Sequence, residues 1–102
     1  MLIGFSSLEL QNVFDHYDQL EHRFGPELAE TIANRMAVLD GAIHLGLVPA
    51  TPPIALRMID RSSARFSVSL GESRALLFRA MPRRRPPVEL AAIQEIEIFD
   101  IR

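Results

Sequence analysis

Apolar positions in this chain follow a helical period in the first half and a strand period in the second. Residues 1–5 form a short apolar run that predicts a strand. Ser6 then offers an N-cap, with Glu9 three residues on completing a capping box. The stripe Leu10, Val13, Phe14, Tyr17, Leu20 and Phe24 keeps helical spacing, with Gln11, Asp15, Asp18, Gln19 and His22 on the opposite side. Gly25-Pro26 ends that helix, and Pro26 suits the first position of the next one. Glu27 and Glu30 favour the positive end of its dipole, Leu28, Ile32, Met36 and Leu39 form its buried stripe, and Gly41 stops it. Residues 42–53 read as a connector with one further helical turn near residues 43–47.

Beyond Pro53 the period shortens. Residues 54–59 are one strand candidate, and residues 66–70 alternate strictly, as a half-buried strand does. Gly71-Glu72-Ser73 makes a turn into an apolar strand over residues 74–81. Residues 82–87 form a loop, and residues 93–101 alternate again, with Ile96 and Ile98 on one side and Glu95 and Glu97 on the other. The expected architecture is a single α+β domain, a two-helix hairpin packed on one face of a small antiparallel sheet of about four strands.

Composition narrows the chemistry. The chain has 102 residues and no cysteine, which excludes disulfides and thiolate zinc sites. No apolar run approaches the roughly 20 residues that span a bilayer. Nothing at the N-terminus resembles a signal peptide, so a cytoplasmic location is expected. Net charge is −2, but it is unevenly spread. Residues 1–56 carry two arginines against seven acids, whereas residues 57–85 carry eight arginines against Asp60 and Glu72. Such asymmetry points to an anionic partner. His16, His22 and His44 have no spacing that suits a metal, and neither a metal nor a cofactor is expected.

Four stretches together resemble the HigB-like branch of the RelE/ParE toxin superfamily. They are Phe24-Gly25 with Leu28-Ala29-Glu30-Thr31-Ile32, then Ala42-Ile43-His44-Leu45-Gly46-Leu47 with Pro49. Arg65-Phe66-Ser67-Val68-Ser69-Leu70 with Leu76-Leu77-Phe78 is the third, and Ile96-Glu97-Ile98-Phe99-Asp100-Ile101 is the last. The chain departs from that family's pattern at Leu56, where a histidine is usual, and at Ala75, where an arginine is usual. The resemblance implies a RelE-like fold and the toxin component of a type II toxin–antitoxin system, a ribosome-dependent, metal-independent mRNA endonuclease. Under it, Arg61, Arg65 and Arg74 are the candidates for stabilising charge on the reacting phosphate. Arg57, Arg79, Arg83, Arg84 and Arg85 are the candidates for holding RNA. The expected partners are mRNA on the ribosome and a cognate antitoxin, a helix-turn-helix DNA-binding protein whose acidic segment would cover the arginines. The alternative is a non-catalytic module of the same fold that engages an antitoxin or another protein such as gyrase.

Overall fold

In the computed structural model, which describes residues 1–82 and 89–102, three helices cover one face of a five-stranded sheet. The chain runs β1 (Leu2–Phe5), α1 (Leu8–Asp15), α2 (Tyr17–Phe24) and α3 (Pro26–Gly41). A 3₁₀ turn at Leu45–Leu47 leads to β2 (Arg57–Asp60), β3 (Arg65–Gly71) and β4 (Arg74–Ala80), and a second at Leu90–Ala92 precedes β5 (Glu95–Ile101). The strand order is β1-β5-β4-β3-β2.

The sheet is mixed, not antiparallel: β1 lies parallel to β5, with Leu2 opposite Glu95 and Phe5 opposite Ile98. That makes five strands, and it leaves β1 and β2 at the edges. The first helical stripe is also split. His16 is extended (φ −127°, ψ 105°), and it separates α1 from α2. Its Nδ1 lies 2.9 Å from the carbonyl oxygen of Asn12, which the break leaves without a helical partner. The cap is Ser7, whose hydroxyl accepts from the Leu10 N–H at 3.1 Å. Ser6 falls one residue before the cap, where the chain still follows the sheet and the Ser6 N–H donates to the Ile98 carbonyl at 2.9 Å.

The core lies between the helices and the sheet. Phe66, Val68 and Leu70 of β3 face Phe78 and Leu76 of β4, and all are buried against Ile32, Leu39 and Ala29 of α3. Three of the strand pairings carry register shifts. One in β5 places Leu77 opposite Asp100 but Phe78 opposite Ile98, so that Phe99 is the extra residue. Strict alternation after Ile98 would have turned Ile101 outward; the bulge restores it to the core face, opposite Leu76. The second, at Ile59 in β2, places Asp60 opposite Arg65, on the face away from the helices.

Candidate nucleic-acid interface

The face of the sheet away from the helices follows from the same alternation. On β3 it carries Arg65, Ser67 and Ser69, and on β4 Arg79, Leu77 and Ala75, each opposite its counterpart. Arg57 stands opposite Ser67 on β2, and Glu97 stands opposite Arg79 on β5. Arg57, Arg65, Arg79, Asp60 and Glu97 therefore collect toward one end of this face, while toward the other Ser69, Ala75 and Leu77 lie beside Asp100, which pairs with Arg102 at 3.1 Å.

Arg65 and Arg79 are direct cross-strand neighbours, a pairing that repels like charges. Each is balanced on its outer side. Arg65 Nη2 donates to Asp60 Oδ2 at 2.9 Å, and its Nε donates to the Ser63 hydroxyl at 2.8 Å. Arg79 Nη1 donates to Glu97 Oε1 at 3.3 Å, and its guanidinium lies 4.5 Å from the ring centre of Phe99, the residue the β5 bulge displaces. Arg57 and Arg61 are exposed and have no ion-pair partner among the described residues.

Three of the arginines expected from the sequence thus share one face: Arg57, Arg65 and Arg79. Arg61 sits beside them in the tight β2–β3 turn. Arg74 does not join them. It pairs with Gly71 at the far end of β4, five residues or about 17 Å along the strand from Arg79. There it lines a shallow groove with Phe24, Glu27 and Leu28 on the helical side of the sheet. Arg83, Arg84 and Arg85 lie outside the described residues.

Two residues that the sequence did not single out shape the molecule around this face. Asp60 accepts from the Ser63 hydroxyl (2.7 Å), the Ser62 hydroxyl (2.7 Å), the Ser62 N–H (3.0 Å) and Arg65. Those bonds, Ser63 and Ser62 foremost and Arg65 next, hold its carboxyl well below the usual carboxylate range. Asp60 is therefore a fixed anion that orients Arg65, and a poor proton acceptor. A carboxyl whose pKa falls on folding stabilises the native state above its unfolded value of about 4, and that contribution fades as pH drops toward the lowered value. Asp60→Asn is accordingly expected to lower the melting temperature at pH 7 and to match the parent in strong acid. Thermal melts across that pH range check it, and a gap that stays constant with pH would show that the charge is not what stabilises.

The other is Arg35, in the middle of α3 and only 8% exposed. Its Nε donates to the Ser69 carbonyl at 2.7 Å, Nη1 to Asn34 Oδ1 at 2.6 Å and Nη2 to the Pro53 carbonyl at 3.3 Å. It ties α3 to β3 and to the connector before β2. A faint signal existed: Arg35 falls three residues after Ile32 and four before Leu39, on the apolar stripe.

Histidines are absent from the open face among the described residues. His16 and His22 are exposed on the first helical segments, and His44 precedes the first 3₁₀ turn with its Nδ1 buried and unpaired. No group of three or more His, Cys, Asp or Glu is placed to hold a metal ion among the described residues. None of the described helices is long and apolar enough to cross a membrane. No protein-family model, curated protein or solved structure matches the chain, so the arginine-bearing open face stands as the principal clue to what it does.

Proposed function

We propose that this chain is the toxin component of a type II toxin–antitoxin system, of the RelE/ParE kind, which contacts mRNA on the ribosome through the open face of its sheet. One observation carries the reading: Arg65 and Arg79 are opposed across two central strands, each drawn outward by a carboxylate. A phosphate arriving between them could take a donor from each guanidinium and relieve their repulsion, in the forked geometry that suits arginine. Arg57 and Arg61 extend the cationic field toward the β2 edge. Such contacts position a nucleic-acid backbone without reading its sequence. The order of elements, a strand, helices and then a meander, also accords with the resemblance. An antitoxin with an acidic segment would compete for these same arginines.

A second reading is favoured by a specific feature. Asp60 is a poor base, and no histidine stands on the open face among the described residues. A non-catalytic module of the same fold, engaging an antitoxin or another protein, needs no base for a 2′-hydroxyl. Leu56, buried where the resemblance leads one to expect a histidine, points the same way.

Induction in a bacterial host without antitoxin, with mRNA ends mapped, separates the two. Growth arrest with new cleavage within translated messages is expected, and Arg65→Ala/Arg79→Ala should abolish it. Arrest without cleavage would move the assignment to the binding module. No arrest, together with no salt-sensitive RNA binding, would reject the RNA-directed reading.

A further inference from the structure

On the helical side, away from the open face, β1 and the three helices line a groove of about 400 Å³. That volume is within the range of small-molecule sites. Its apolar lining includes Phe5, Phe14, Tyr17 and Met36, and its polar lining is two carboxylates, Asp15 and Asp40. The break at His16 creates it, because a continuous helix would carry residues 15 and 17 round in helical register instead of leaving both on the groove.

The charged side chains that line it, Asp15 and Asp40, are of one sign. Asp15 is the last residue of α1 and Asp40 the penultimate residue of α3, so each adds a carboxylate at the negative end of a helix dipole. Neither helix has a basic residue in its last turn, and neither carboxylate has an ion-pair partner among the described residues. Three aromatic side chains complete the lining. Phe5 and Phe14 meet with ring centres 5.1 Å apart at 46°, forming an angled wall, and Tyr17 stands at the rim, 47% exposed.

Aromatic faces attract cations, and an apolar lining admits only a cation that is itself poorly hydrated. Carboxylates at the mouth supply the counter-charge. From this combination we infer that the groove is a binding site for a small quaternary ammonium compound, its methyl groups against Phe5, Phe14 and Tyr17 and its charge near Asp15 and Asp40. The volume suits a whole small molecule.

The test titrates the full chain with choline and, in parallel, with its neutral isostere 3,3-dimethylbutan-1-ol, following backbone amides by NMR. Choline is expected to shift the amides of Phe5, Phe14 and Tyr17 saturably and to bind at least about fivefold more tightly than the alcohol. Tyr17→Leu, at a half-exposed position, should weaken choline roughly two- to fivefold and leave the alcohol unchanged. Asp15→Asn/Asp40→Asn should act in the same direction. Equal affinity for the two compounds, or no saturable shift at these residues, would overturn the proposal. A trimethyllysine peptide binding far more tightly than choline would overturn the assignment to a small ligand.

Discussion

Replacing Phe78 with alanine is expected to remove about 4 kcal/mol of stability. Phe78 has no exposed surface, and its ring stacks on that of Phe66 with centres 6.0 Å apart. It stands on β4, in the middle of the sheet, opposite Ile98 on one side and Phe66 on the other. Truncation therefore opens a cavity with packed strands on both sides and α3 above, which leaves little that can collapse into it. Domains of this size are stable by only about 5–15 kcal/mol, so the variant should be partly unfolded near physiological temperature. Phe99 provides the control. Half-buried on the open face beneath Arg79, it should cost about 1 kcal/mol when truncated. Urea titration of both variants decides the matter, and comparable losses would mean that the core is not centred between the helices and β4.

Arg35→Ala is expected to cost about 3 kcal/mol, on the order of 15 °C in melting temperature. Two effects oppose each other here. Removing a buried cation relieves its desolvation, which favours the variant. It also strips the Ser69 and Pro53 carbonyls of their donor, at about 1–3 kcal/mol for each group left buried and unpaired, and deletes the packed stem. The second effect should win, since water cannot easily follow into a site that is only 8% exposed. Arg35→Met separates the contributions by restoring most of the volume without the donors. Thermal unfolding of the methionine variant should fall between parent and alanine; parity with the parent would show that the guanidinium bonds contribute nothing net.

How far the sequence foretold this molecule depends on the range of the signal. Helix α3 was legible end to end because Pro26, the stripe through Ile32 and Leu39, and Gly41 are all local features. The β3–β4 hairpin was legible for the same reason: Val68 and Leu76 alternate on either side of a turn at Gly71. The break at His16 was not, because the apolar stripe runs on through Phe14, Tyr17 and Leu20 whether or not one residue leaves the helix. Nor were the bulges at Ile59 and Phe99, since an extra residue in a strand looks like ordinary alternation until a partner is supplied. Pairing of β1 with β5 joins segments with no shared local pattern, and so an antiparallel meander was the natural expectation. Among the arginines, Arg57, Arg65 and Arg79 follow from alternation. Arg74 was ambiguous because the register shifts between Ser69 and Gly71. Asp60 escaped notice because its role depends on the β2–β3 turn, where Ser62 and Ser63 converge on its carboxylate.

The parallel ladder between β1 and β5 also fixes an order of events during synthesis. Residues 2–5 leave the ribosome long before their partners, residues 95–98. Helices α1 to α3 and the β2–β3–β4 meander depend on nearer contacts and can form while translation continues. The opening strand must wait, its backbone groups unmatched and Ile3 and Phe5 without their sheet neighbours. Closing so long a loop is entropically costly and slow compared with local folding. The nascent chain thus carries an unpaired apolar strand until β5 emerges, which is the interval in which strand-mediated aggregation threatens it most.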